Sequence, residues 1–408
     1  MSIRKAKEPP SESTAAPATV PTAPFGVNAM RLSGRQWLLV AAILLGCCLG
    51  IPRLWKRIER FDTGPDYRIP YALSNDYWLF QRRLERITDS AGVPVLGDSV
   101  VWGEYVRPDA TLSHYLNRET GRADRFLNCG INGLFPLALE GLVDYYAATM
   151  RDRPVVVHCN LLWMTSPKAD LSTAKEENFN HAGLVPQFSP RIPCYRADTA
   201  ARLSAVVGRS VGFFGWVTHV ETTYFGSQSI PRWTLEQDES QPPRSPNAWR
   251  NPLSCITLVV PGESRDDPER GPQSARHKPW TSGRTSPAHF DWVPLDKSLQ
   301  WHAFQRVVTR LRQRGCDVLV IVGPFNEPMV APDERGTYRG LREGIAAWLR
   351  AGGVACVVPE TLPSELYADA SHPLTEGYAL LARQISKDAV FREWLSESRE
   401  GERGRNAE

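Results

Sequence analysis

The chain has 408 residues, 42% of them apolar and 23% charged, with a formal net charge of +3. That is enough apolar material for one large folded domain or two ordinary ones, and the basic residues are interspersed with acids, which argues against a nucleic-acid partner. The eight cysteines show neither the paired C-x-x-C spacing of a zinc site nor the density of a disulfide scaffold, and read as small buried apolar residues.

Residues 1–35 form a leader dominated by Pro, Ala, Ser and Thr, a composition that cannot repay the entropy of ordering and predicts a disordered tail. Next comes "WLLVAAILLGCCLGI", Trp37 to Ile51, uncharged and flanked by Arg31 and Arg35 on one side and Arg53, Lys56 and Arg57 on the other. On a helix, Trp37 and Trp55 stand about 27 Å apart, close to one hydrocarbon thickness. Residues 36–55 are therefore expected to be a transmembrane anchor of a single-pass protein of the cell membrane. A second membrane reading stays open, because "LLGC" at Leu44 to Cys47 resembles a lipoprotein cleavage site and a start at Met30 would give a signal-peptide layout. Basic residues on both flanks leave the orientation undecided by charge.

Residues 56–89 read as a juxtamembrane linker, with domain-like sequence beginning near Pro70 and the main domain spanning 90–395. Five valine- and leucine-rich runs, "PVLGDS", "RFLNCG", "PVVVHCN", "DVLVIVGP" and "GVACVVP", are bounded by Gly, Pro or Asn and read as strands. Amphipathic stretches such as "LALEGLVDYYAATM" and "WHAFQRVVTRLRQRG" separate them. Continuous apolar strands alternating with helices predict an α/β fold: a flavodoxin-like five-stranded parallel sheet with helices on both faces. Residues 165–297, between the third and fourth strands, form a long irregular insertion whose part from Ser227 to Pro294 is rich in Pro, Arg, Ser and Trp. Residues 396–408 read as a charged disordered tail.

In such a sheet, ligands bind outside the carboxyl ends of the strands. Ser99 sits at one such end in "VPVLGDSVVWG", where an N-cap serine and a nucleophile would occupy the same place. A nucleophile needs a base, and "YADASHPLTEGYALLARQI" after the last strand offers His372 with Asp369 three residues before it. Asp369 could orient the imidazole while His372 takes the serine proton; the alternatives are a cap for Asp369 and an ordinary core or surface residue for His372, the reading preferred for the other seven histidines.

"GDSVVWG" and "DASHP", in this order near opposite ends of an α/β domain, resemble the first and last sequence blocks of the SGNH (GDSL) hydrolase superfamily. The resemblance covers residues 93–137, 154–164 and 300–390. It implies an oxyanion hole made by the Ser99 amide, an amide after the second strand supplied by Gly133 with Gly130 as a fallback, and the side chain of Asn160 after the third. The usual G-x-N-D of that family is absent around Asn160, where the chain reads "HCN". Asn326 and Glu327, at the end of the fourth strand, are expected to face the same crevice and have no fixed role in the family.

The implied activity is a Ser-His-Asp acyl-enzyme mechanism, as esterase or O-acyltransferase, with no metal or organic cofactor. Membrane-anchored relatives imply an extracytoplasmic, bacterial setting, an acyl ester or acetylated glycan as substrate, and a membrane-bound O-acyltransferase as a possible partner. Seven of the 13 tryptophans lie between Trp163 and Trp301, where they serve either as sugar platforms or, the preferred reading, as buried anchors of the insertion. A scaffold without turnover and a lipid esterase remain as alternatives.

Overall fold

Valine and leucine dominate β1, β3 and β4, and with phenylalanine and cysteine in the other strands they build one sheet buried on both sides. The computed structural model describes residues 32–61, 63–90, 92–235, 250–262, 277–283 and 286–405. Strands β1 (Val93–Gly97), β2 (Phe126–Gly130), β3 (Pro154–Cys159), β4 (Asp317–Val322) and β5 (Ala355–Val357) pair in the order β2-β1-β3-β4-β5, all parallel. The register runs straight across the sheet, from Asn128 through Val95, Val156 and Leu319 to Ala355. This is the expected α/β architecture in the flavodoxin-like order.

Because side chains alternate across a strand, each strand feeds two cores. Leu96, Cys129, Val155, Val157, Val318 and Val320 enter one, under α2 (Tyr77–Thr88), α5 (Pro136–Tyr146), α9 (Leu299–Gln313) and α10 (Arg335–Ala351). Val95, Phe126, Val156, Leu319 and Ile321 enter the other, under α3 (Ser99–Trp102), α4 (Leu112–Thr120), α11 (Thr375–Lys387) and α12 (Ala389–Arg405). The strand order reverses between β1 and β3, so the crevice lies at their carboxyl ends, where Ser99 and Asn160 follow.

Several boundaries differ from the sequence reading. Helix α1 runs Gly34–Ile58, longer at both ends than 36–55, and is long and apolar enough to cross a membrane. The chain divides into two units, Met1–Cys47 and Cys48–Glu408, and the described part of the first is the 32–47 segment that opens α1. The tail expected at 1–35 otherwise lies outside the described residues.

The presumed linker at 56–89 contains α2, which is part of the core: Asp76 caps it by accepting from the Leu79 N–H at 2.9 Å, and Leu79, Phe80, Leu84 and Ile87 are buried. The presumed tail from 396 is also helical to Arg405, because Phe391, Trp394, Leu395 and Ser398 recur at helical spacing and are buried. The insertion is less irregular than its composition suggested. It carries α6 (Thr199–Ser210), α7 (Gly212–Phe225) and α8 (Ile230–Leu235), while 236–249, 263–276 and 284–285 lie outside the described residues.

Candidate active site

Asp98, not Ser99, caps α3. Its Oδ1 accepts from the Val100 N–H at 3.0 Å, and Ser99 is the first helical residue. The serine hydroxyl is thereby left for another partner, and His372 provides it: Ser99 Oγ lies 2.7 Å from His372 Nε2. The short helix closes at Gly103, whose φ of +90° suits glycine.

His372 sits in the loop before α11, and that loop is built around Asp369. One carboxylate oxygen accepts from the Ser371 and His372 backbone N–H groups at 2.9 and 3.0 Å, and both oxygens lie 2.8 Å from His372 Nδ1. Asp369 therefore caps the turn and orients the imidazole at once. Burial raises its pKa, but the hydrogen bond and charge of His372 outweigh this and hold it below the usual carboxylate value. Burial depresses the imidazole, yet Asp369, then Glu104 and Asp98, hold His372 above the ordinary histidine value. The serine and histidine elements are tied together by the Tyr378 hydroxyl on α11, which donates to the Val100 carbonyl at 2.8 Å.

Gly133 follows β2 at φ +72°, and a Cβ there would stand 2.2 Å from Asn180 Nδ2. Its N–H, like that of Ser99, has no acceptor among the described residues. The Gly130 N–H is already taken by Asn128 Oδ1 at 3.0 Å, which removes the fallback. Asn160 is fully buried; its Oδ1 caps the turn Leu161–Met164 through Leu162, and its Nδ2 donates to Asp98 Oδ2 at 2.8 Å. The amide group has two hydrogens, so one is left to point elsewhere. A cavity of about 330 Å³ lies beside Gly133, lined by Phe135, Leu171, Phe179 and Asn180.

No model of a known protein family matches this chain, and no curated protein is detectably similar to it.

The structure adds residues that the sequence reading did not single out. His158, two residues before Asn160, is fully buried, with Nε2 3.0 Å from the Gly323 carbonyl and Nδ1 3.3 Å from Asp98 Oδ1. Trp163 Nε1 donates to the other Asp98 oxygen at 3.1 Å. Burial works against the Asp98 charge, but His158 and Asn160 hold its pKa below the usual range. Asp98 is thus a buried carboxylate gathering β3 and its following turn under the serine.

Glu104 lies 4.0 Å from His372 Nε2 and accepts from Asn132 Nδ2 at 2.6 Å. Tyr105 meets the His372 ring edge-on at 5.5 Å and stacks on His277 of the insertion at 4.3 Å. The insertion also reaches the far side of the site through His181, whose Nε2 donates to the Asn132 carbonyl at 2.8 Å. Asn326 does not line the crevice as a free side chain: its N–H donates to the Ala370 carbonyl and its Nδ2 to the Asp369 carbonyl, so it holds the loop that carries Asp369 and His372. Glu327 is turned away, accepting from Arg339 at 2.6 Å.

Of the tryptophans in the insertion region, Trp163 and Trp301 are buried. Trp292 is half-buried against Phe290, Phe325 and Tyr338. At these positions the rings pack against protein.

Proposed function

We propose that the chain is a membrane-anchored serine esterase or O-acyltransferase of the SGNH type. The observation that carries this reading is the continuous line from Asp369 through both nitrogens of His372 to the Ser99 hydroxyl, at 2.8 and 2.7 Å. His372 Nε2 takes the Ser99 proton as Oγ attacks an ester carbonyl; the Nδ1 proton stays on the ring and is donated to Asp369, which stabilises the imidazolium. The Ser99 and Gly133 N–H groups and the second Asn160 amide hydrogen receive the oxyanion. The imidazolium then returns its proton to the departing alkoxide, leaving an acyl-serine. Water or an acceptor hydroxyl reverses the sequence, and only that second nucleophile separates hydrolysis from transfer.

The resemblance favours small acyl groups, acetyl above all, on extracytoplasmic glycans, with α1 holding the enzyme at the cell membrane. Release of acetate from acetylated oligosaccharides, compared between the native chain and His372→Ala, tests the reading. Turnover lost in the variant is expected. A folded native chain that cleaves no acetyl ester would leave a scaffold in its place, and preference for long-chain acyl esters would move the substrate to lipids.

A further inference from the structure

Beyond Ile58, Tyr71, Tyr145, Phe188 and Val390 are exposed singly, whereas the other exposed large apolar side chains fall in one part of the sequence. Leu203, Val207, Val211, Phe214, Leu235, Leu253 and Val259 all belong to α6, α7, α8 and the segment 250–262 of the insertion. Leu203 and Leu253 are 51% and 72% exposed, unusual for leucines of a folded body. The charges in this region face inward or are few. Arg202 donates to the carbonyls of Gln187, Tyr195 and Ala197, and Arg209 to those of Gly183, Leu184 and Val185. From Thr199 to Leu235 and from Arg250 to Gly262 the single acid is Glu221, and it accepts from the Ile230 N–H.

These segments are fastened to the last turns of α1. Trp55 meets Trp216 and Tyr224 of α7 edge-to-face at 5.6 and 6.1 Å. The Arg60 N–H donates to the Leu258 carbonyl and the Val260 N–H to the Arg60 carbonyl, at 2.8 and 3.0 Å. Below them, His219 of α7 is held between Glu59 and Asp76. Around Trp55 stand the exposed Arg53, Arg57 and Arg60. Tryptophan, tyrosine and snorkelling arginine beside bare leucine, valine and phenylalanine are the residue mix of the boundary between lipid headgroups and acyl chains.

We infer that the exposed apolar side chains of α6 and α7, where Leu203, Val207 and Phe214 line an open cleft beside Trp78 and Tyr146, rest together with Leu235, Leu253 and Val259 in the interfacial layer of a lipid bilayer and form a second membrane contact beside α1. This rests on the reading of α1 as a membrane anchor. The occupant is the bilayer rather than a partner protein because the patch continues from the end of that helix and combines aromatic and basic residues with almost no acid. Such a contact would fix the tilt of the catalytic domain over the membrane instead of leaving it on a swivel.

The test places a benzophenone amino acid, one position at a time, at Leu203, Val207 or Phe214 of the full chain in phosphatidylethanolamine–phosphatidylglycerol vesicles. Leu44 within α1 and the exposed Val390 serve as references. After illumination, lipid adducts are read by mass spectrometry. Adducts at Leu44 and at the α6 and α7 positions, well above those at Val390, are expected. Adducts at Leu44 without any on α6 or α7 would overturn the inference and leave the anchor standing, as would α6 and α7 crosslinks to protein alone. Adducts on α6 and α7 without Leu44 would support the contact and overturn the anchor; adducts at neither would overturn both.

Discussion

His372 and His219 are both buried, and each has a carboxylate at Nδ1: Asp369 at 2.8 Å in one case, Asp76 at 2.6 Å in the other. They differ at the second nitrogen. His372 Nε2 meets the Ser99 hydroxyl, whereas His219 Nε2 meets a second carboxylate, Glu59, at 2.9 Å. A hydroxyl can give its proton to the ring, so in the proposed reaction the first arrangement serves as the base. Two carboxylates hold the ring doubly protonated, and Glu59 is further paired with Arg82 and the Tyr224 hydroxyl, so the second makes a bolt joining the end of α1, the cap of α2 and the insertion helix α7. One side-chain type serves chemistry or attachment according to what stands on one nitrogen.

The largest effects are expected at Ser99 and His372. Ser99→Ala or His372→Ala should each lower kcat by about 10^4-fold, the scale of losing one member of a cooperating triad, while the melting temperature stays near that of the native chain. Steady-state kinetics beside thermal unfolding check both halves. At the bolt the pattern should invert. His219→Leu leaves two buried carboxylates without their shared cation and should destabilise the fold by about 3–5 kcal/mol, with kcat of the remaining folded protein unchanged. Denaturant titration with parallel assays measures this.

Next in size is Asn160→Ala, which removes one oxyanion donor and should lower kcat about 10^2-fold with little change in KM. Because Asn160 also binds Asp98, melting should be followed alongside.

The smallest effects concern pH, and the two histidines differ there too. Burial lowers the His219 pKa, but Asp76 and Glu59 raise it to about 9. A group raised above its ordinary 6.5 gives its full stabilisation below that value and loses it as pH climbs through about 9. Stability of the native chain should therefore decline across that window, and His219→Leu should flatten the decline. His372 must be neutral to accept the serine proton, so its raised pKa places the acidic limb of kcat/KM above pH 6.5. Glu104→Gln removes one of the charges that raise it and should move that limb to lower pH, with only a modest loss of rate.

The strands were legible because a doubly covered parallel sheet demands unbroken apolar runs, and "PVVVHC" and "DVLVIV" satisfy nothing else so well. Ser99 was legible at the end of β1, and His372 with Asp369 in the segment before α11, since the turn that positions each is local. Elements held by distant charge were not legible. The sequence of α2, "YWLFQRRLERIT", places Arg82 and Arg83 on its buried face, where Arg82 is paired with Glu59 and lies over the Phe61 and Trp78 rings. His158 was passed over as a core histidine; it is one, but its partner is the aspartate before the serine. Whether Ser99 is a cap is decided by Asp98, whose carboxylate takes the capping role one residue earlier. Glu104 and Tyr105 escaped notice because the turn at Gly103, which folds them back toward His372, carries no signal beyond a single glycine.

Covalent labelling tests the activation of Ser99 most directly, because it needs no knowledge of the substrate. The full chain, treated with a fluorophosphonate and mapped by mass spectrometry, should carry a phosphonyl adduct on Ser99 that is lost in His372→Ala. A well-folded native chain with an unmodified Ser99, or equal labelling in the variant, would contradict the account.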